Sequence, residues 1–191
     1  MKKLLLFGII LSAGSLSAQA QTTRFGLKAG ANYSNVYLNG ITRPERLWGF
    51  AAGGFAQIPL TQDGFFSVQP ELIYSAKGSK TSLSFGGEYR QRLHYIELPV
   101  LAKINASGFI AELGPQVSFL AAARFETPNG TSTDLEGSNR LALGAVAGVG
   151  YQLPMGLSIT LRYANDLTKL SPNGPRNTLY QAQLGYLFAG K

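Results

Sequence analysis

Eight segments of two-residue hydrophobic alternation run along this chain, and the seven connections between them alternate long, short, long, short, long, short, long. A period of two is the signature of a β-strand with one apolar face. An even number of such strands, joined by turns at one end and longer loops at the other, restricts the fold to an up-and-down antiparallel sheet that closes on itself. The stretch Phe65 to Gly78 shows the pattern best. Phe66, Val68, Pro70, Leu72, Tyr74 and Ala76 form one face, and Ser67, Gln69, Glu71, Ser75 and Lys77 the other, with Ile73 as its only apolar member.

The other strands are expected at Arg24 to Tyr33, Trp48 to Ile58, Leu93 to Ile104, Phe109 to Phe119, Leu141 to Leu153, Leu157 to Tyr163 and Tyr180 to Phe188. In the fourth, the alternation is weaker, because Leu93 and Leu101 fall on the polar side. Short turns are expected at Thr61 to Gly64, Asn105 to Gly108 and Pro154 to Gly156. Residues 34–47, 78–92, 123–139 and 166–176 read as long polar connections punctuated by Gly, Pro and Asn.

The first twenty residues stand apart. Met1-Lys2-Lys3 is a positive n-region, Leu4 to Leu11 a short apolar core, and Ala18-Gln19-Ala20 a small-x-small cleavage site. The apolar run falls below the ~20 residues of a spanning helix. Residues 1–20 are therefore expected to be a cleavable signal peptide, and residues 21–191 one barrel domain. Its removal with Lys2 and Lys3 lowers the formal charge from +7 to +5. The remaining basic residues are dispersed, which excludes a nucleic-acid partner. The absence of cysteine excludes a disulfide framework, a thiolate metal site and a lipidated cleavage-site cysteine.

Alternation alone does not say which face meets the lumen; a soluble barrel of the lipocalin type would turn the apolar face inward. Three features put lipid outside. The polar face is rich in glycine and small polar residues, as a crowded lumen requires. Aromatic residues gather near both ends of the apolar stripes, with Trp48, Phe50, Tyr74, Phe119 and Tyr163 toward the long loops. Phe25, Phe66, Phe109, Tyr151, Tyr186 and Phe188 lie toward the short turns. The last strand ends Gly185-Tyr186-Leu187-Phe188, similar to the C-terminal aromatic signal read by the barrel-assembly machinery, which makes that machinery an expected partner during biogenesis. The expectation is an all-β, eight-stranded, antiparallel transmembrane barrel of the cell outer membrane.

The segments QPELIYSAKG (Gln69 to Gly78), YIELPVLAK (Tyr95 to Lys103), LGPQVSFL (Leu113 to Leu120) and GAVAGVGYQL (Gly144 to Leu153) resemble the PorT-type outer-membrane β-barrel family of Bacteroidetes. GFAAGGFAQIPL (Gly49 to Leu60) fits the same family. The resemblance covers nearly all of the mature chain. It implies an eight-stranded outer-membrane barrel, and a link to protein secretion through the type IX pathway, with secretion-system proteins as partners. It brings no catalytic motif.

On the polar face, Lys28, Glu71, Glu97, Lys103, Glu112 and Arg162 fall in the lower to middle lumen. An eight-stranded barrel is just wide enough to be filled by its own side chains. Unpaired ions there are costly, so the expectation is a salt-bridged plug in which Glu71 pairs with Arg162 or Lys28. A conducting or ligand-binding lumen is the alternative. Pro70, Pro99 and Pro115 lie at similar heights on consecutive strands and predict bulges or local distortions.

Near the long loops, Arg43, Arg46, Lys77, Lys80, Arg90 and Arg92 are candidate contacts to lipopolysaccharide phosphates, with ordinary loop solvation as the alternative. His94, the only histidine, falls on the lipid side near a strand end. No acid is spaced to orient it, so the chain is read as non-enzymatic, and a lipid-modifying enzyme is disfavoured. Asp134 and Glu136 are loop acids that could hold calcium, but loop acids are usually just solvated. No catalytic residue, cofactor or metal site is expected.

Overall fold

The computed structural model describes residues 22–37, 45–82, 88–127, 130–133, 139–168 and 176–189. Residues 1–20, expected to be a signal peptide, and Arg43, Asp134 and Glu136 lie outside them. The strands are β1 (Arg24–Tyr37), β2 (Glu45–Pro59), β3 (Phe66–Ser82), β4 (Glu88–Ala106), β5 (Phe109–Thr127), β6 (Gly130–Ser132), β7 (Leu141–Gln152), β8 (Leu157–Asp166) and β9 (Arg176–Leu187). All pairings are antiparallel. Each barrel strand pairs with the next, and β1 closes the ring on β9 from Gly26↔Leu187 to Tyr37↔Arg176. The result is the expected eight-membered barrel. The three-residue β6 is not part of the ring and pairs only with the end of β5.

The alternation sorts as expected. Phe25, Leu27, Phe50, Leu72, Leu98, Val100, Leu113, Val149, Leu161 and Leu184 are exposed on the outer wall, while Lys28, Asn32, Gln69, Glu71, Glu97, Glu112, Gln116, Arg162 and Gln183 are buried inside it. Exposed apolar surface of this extent on a monomer marks a wall that meets something other than water.

Three expected loops are shorter than the sequence suggested. β1 runs on to Tyr37 and β2 begins at Glu45, within the connection read over residues 34–47. β3 and β4 stay paired up to Ser82↔Glu88, so much of the Gly78 to Arg92 connection is a long hairpin. β5 likewise continues to Thr127, and β6 lies within the region read as a loop after Ala123. Once a strand leaves the apolar layer, both of its faces are polar, and hydrophobic contrast no longer reports it even though the backbone ladder continues.

At the opposite end, the connections are tight. Ser107 and Gly108 have φ of 52° and 98°, the two left-handed residues of a type I′ hairpin between Ala106 and Phe109. Gly156 (φ 91°) ends the Pro154-Met155-Gly156 turn, whose Gly156 N–H donates to the Leu153 carbonyl at 2.9 Å. In the Thr61 to Gly64 turn, the Asp63 carboxylate accepts the Phe65 N–H at 3.0 Å.

The prolines distort the wall without shifting it. Pairing lapses beside Pro70 between β2 and β3, beside Pro99 between β3 and β4, and beside Pro115 between β4 and β5, yet the register is the same on both sides of each gap. The missing N–H removes a rung, and nothing forces an extra residue in. The register shifts lie elsewhere, between Arg46 and Ala51 on β2 and beside His94/Tyr95 on β4. At the second, Tyr95 pairs with Leu120 and His94 with Ala122, which leaves Ala121 as the inserted residue of a bulge in β5.

Candidate functional site

The barrel interior is filled by a largely polar and ionic plug with apolar clusters set into it. At its centre, Glu71 takes a bidentate contact from Arg162, with Nη1 donating to Oε2 and Nη2 to Oε1, both at 2.7 Å. Lys28 Nζ donates to Glu71 Oε1 at 2.6 Å, and Gln69 Nε2 to the same oxygen at 2.7 Å. Arg162 also donates from Nε to Glu112 Oε1. Four charges and one amide thus converge from β1, β3, β5 and β8, and both expected partners of Glu71 are present together. The fork of Arg162 suits this task because a guanidinium offers donors in two directions within one plane.

Two lumen charges are paired differently from the expectation. Lys103 forms no ion pair among the described residues. Its ammonium is cradled by amide oxygens, Gln69 and Gln152 at 3.2 Å and Gln57 at 3.5 Å. Glu97 pairs with Lys77 at 2.5 Å, and Lys77 also lies over the Tyr95 ring at 4.9 Å. The structure corrects the placing of Lys77 among the outer lipopolysaccharide contacts. It sits six residues along β3 from Glu71, on the same inward face, and is buried. Asp166, read as the start of a loop, is a further buried acid at the end of β8 whose charge acts on Lys77.

Between these two ionic groups lies a ladder of neutral side chains. Gln181 Nε2 donates to Asn32 Oδ1 at 3.0 Å, Asn32 Nδ2 to Ser75 Oγ at 3.0 Å, and Gln183 Nε2 to Gln181 Oε1 at 3.3 Å. The long-loop end is sealed by apolar residues: Leu93, Tyr95, Leu120 and Ala123 form one buried cluster with Phe125 against it. A second cluster joins Leu101, Val146, Ala164 and Leu179. Leu93 and Leu101, the two residues that weakened the fourth strand's pattern, are thus part of the plug's apolar filling. Their signal was present in the sequence as misplaced leucines. Leu120 and Ala123 reach the seal together only because of the Ala121 bulge, which the sequence does not announce.

At the short-turn end, a recess of about 660 Å³ is lined by Arg24, Asp63, Asn105, Ser107, Tyr151 and Gln152 among others. Its inner side adjoins the plug, since Gln152 Oε1 accepts from both Lys103 and Asn105.

On the outer wall near the long loops, Tyr33 pairs in register with both Trp48 and Tyr180, and Tyr180 with Tyr163, an aromatic row across four strands. The Arg46 guanidinium lies over Tyr33 at 5.2 Å and Tyr180 at 4.7 Å. His94 Nδ1 and the Tyr74 hydroxyl are 2.6 Å apart on the outer face. No carboxylate or serine completes a nucleophilic triad around His94 among the described contacts. Of the remaining candidate contacts, Lys80 lies 3.9 Å from Glu45, Arg90 is opposite Glu126 in register, and Arg92 is exposed.

Comparison with known proteins identifies the class. The closed barrel is similar to Neisserial surface protein A, with a TM-score of 0.61 at 14% identity over 88% of this chain and 100% of that one. It is also similar to Ail, the attachment invasion locus protein of Yersinia pestis, solved with the heparin analogue sucrose octasulfate, with a TM-score of 0.54 at 15% identity over 88% of this chain and 100% of that one. At such identities, the likeness is one of fold alone. A search among curated protein sequences finds no match. The profile described as "Outer membrane protein beta-barrel domain" matches residues 18–171, most of the chain. The short turns therefore face the periplasm, the long loops face outward from the cell, and the apolar wall meets lipid. The chain belongs to the outer membrane protein beta-barrel domain family.

Proposed function

We propose that this outer-membrane barrel is a closed, non-enzymatic scaffold. In this reading, its extracellular loops or periplasmic rim carry its contacts, in an accessory role in protein secretion of the type IX kind. The observation that carries the closed-scaffold reading is the bridge from Arg162 to Glu71 and Glu112, which crosses the lumen. A permeant ion would have to separate buried charges that are expensive to leave unpaired. The PorT-type segments, Gln69 to Gly78 and Tyr95 to Lys103, support the secretion role.

Planar-bilayer recording tests the closed lumen. The expected trace is flat, and steady single-channel openings would overturn the reading. Cross-linking and pull-down of the tagged barrel from its native membrane tests the secretion role. Recovery of secretion-system components is expected, and recovery of the barrel-assembly machinery alone would leave the barrel without that role.

A second reading, a ligand-binding barrel, is favoured by one feature, the periplasmic recess bounded by Arg24, Asn105 and Gln152. Equilibrium dialysis of the purified barrel against periplasmic small molecules separates it from the first.

A further inference from the structure

On β4, the outward column reads Ile104, Ala102, Val100, Leu98, Ile96 and then His94, Arg92, Arg90. The change from apolar to basic is abrupt. It falls at the His94–Tyr74 contact, beside Phe50, whose ring lies 5.5 Å from that of Tyr74. Beyond this aromatic edge, the neighbouring strands follow the same course. β3 contributes Lys80 opposite Arg90, and β5 contributes Arg124 opposite Arg92. Leu93 and Ala123, the residues between, are buried inside, so Arg92 and Arg124 both point outward, and both are exposed.

Arg92 and Arg124 are thus two like charges set directly opposite each other on paired strands. Such a pair is destabilising by itself. Arg124 has partial compensation from Glu126, at 3.1 Å from its Nε. Arg92 has no ion pair among the described residues. Of the described side chains, Arg92 and Arg124 stand against one paired acid, Glu126. Two residues along a strand cover roughly 7 Å. The pair therefore stands one such step beyond the His94 level, where the polar headgroups of a bilayer begin.

We propose that Arg92 and Arg124 form a clamp for a phosphate group of an outer-leaflet glycolipid. Two guanidinium forks facing one another offer donors to a single phosphate from two sides, and a doubly charged anion between them turns repulsion into attraction. The apolar column directly below, Ile96, Leu98 and Val100 on β4 with Phe119 and Val117 on β5, supplies the wall for the acyl chains of the same molecule. A headgroup phosphate joined to acyl chains satisfies both surfaces at once, whereas a soluble polyanion would engage only the upper one. The clamp requires the outer-membrane placement but is independent of the secretion role.

The test compares the full barrel and its Arg92→Gln variant in nanodiscs of phosphatidylcholine alone, and in nanodiscs containing bisphosphorylated lipid A. The readouts are the thermal midpoint of the fast-migrating folded band and the lipid A retained in native mass spectra. In phosphatidylcholine, Arg92→Gln is expected to raise the midpoint or leave it unchanged, because it relieves the repulsion. With lipid A, the wild-type midpoint is expected to rise, and the variant is expected to gain less and retain at least two-fold less lipid A. Arg124→Gln should repeat the loss of retention, and dephosphorylated lipid A should give neither protein a gain. Equal retention by wild type and Arg92→Gln would overturn the clamp. Equal protection of the wild type by soluble inositol hexaphosphate in phosphatidylcholine nanodiscs would overturn the assignment to a lipid. A drop in the Arg92→Gln midpoint in phosphatidylcholine alone would show that Arg92 is structural and overturn it as well.

Discussion

Arg162 on β8 reaches Glu112 on β5 across the full width of β7, and the residue it passes over is Gly148, the register partner of both. Lys28 does the same on the other side of the barrel. It reaches past β2 to Glu71 on β3, with its ammonium 5.0 Å from the ring centre of Phe55, the β2 register partner of Glu71. In each case a long basic side chain joins strands that are not neighbours, and for Arg162 the strand between carries glycine where the stem crosses. With Arg162 also holding Glu71 across the lumen, β1, β3, β5 and β8 share one set of charges.

Gly148 should therefore tolerate little added bulk. A Cβ there would lie 2.8 Å from Glu112 Oε1 and 2.9 Å from Arg162 Cγ. Both neighbours are flexible side chains, so Gly148→Ala is expected to displace the bridge and cost about 1–3 kcal/mol, with Gly148→Val costing more. Gly54→Ala is the control. It faces outward, and its nearest prospective contact is 3.6 Å away, so it should be close to neutral. Thermal midpoints of the folded band in detergent check both, and an equal loss in the two variants would contradict the account.

Glu71→Gln removes the charge on which Arg162 and Lys28 converge and leaves two cations buried against a neutral amide. Breaking a buried pair from one side costs about 3–5 kcal/mol. Adding Lys28→Met should recover part of that loss, since it takes away one of the two uncompensated charges, so the double variant should be more stable than the sum of the singles. Urea unfolding in lipid vesicles measures the cycle. Simple additivity would mean that Lys28 and Glu71 are not coupled.

The barrel and the core of its plug were legible because both depend on period-two alternation. Lys28, Glu71, Glu112 and Arg162 each sit on the polar parity of an otherwise apolar strand, and that parity alone brought them together. Parity does not say how far a side chain reaches. Lys77 shares the inward parity of Glu71, but its nearness to the loop suggested the surface, and only the three-dimensional position of Glu97 assigns it inward. Arg124 was missed for a different reason. The inserted Ala121 resets the alternation, so the residues beyond it cannot be read from the strand below.

That reset positions the apolar seal. Leu120 and Ala123 both face inward against Leu93 and Tyr95. Leu120→Ala is expected to cost about 2–5 kcal/mol by opening a cavity in this cluster. Deleting Ala121 should cost less, because the pairs Tyr95↔Leu120, His94↔Ala122 and Leu93↔Ala123 all survive once the inserted residue is gone. Deletion of Ala111, in the unbulged part of β5, should instead prevent folding, since it turns every later side chain to the wrong face. Folded-band yield after refolding into detergent ranks the three, and better tolerance of the Ala111 deletion would refute the bulge assignment.

The three prolines leave consecutive gaps in the wall, beside Pro70, Pro99 and Pro115, while β7 and β8 pair without a break from Gly144↔Asp166 to Gln152↔Ser158. In lipid, a backbone group without a partner is costly, so this seam is the part of the membrane-spanning wall where opening is least opposed. Amides within residues 98–101 and at Gly114 are therefore expected to exchange with deuterium faster than those of the β7–β8 ladder in the same nanodisc. Pro115→Ala distinguishes two causes. Pro115 lies opposite Val100, where the β4–β5 pairing lapses, so restoring its N–H should slow exchange if the lost donor makes the gap. The other cause is the close approach of Gly114 to the wall, where a Cβ would lie 2.0 Å from the Val100 carbonyl oxygen. Unchanged exchange in Pro115→Ala would assign the gap to that crowding, and the seam would then be a feature of packing between β4 and β5, with proline merely tolerated there.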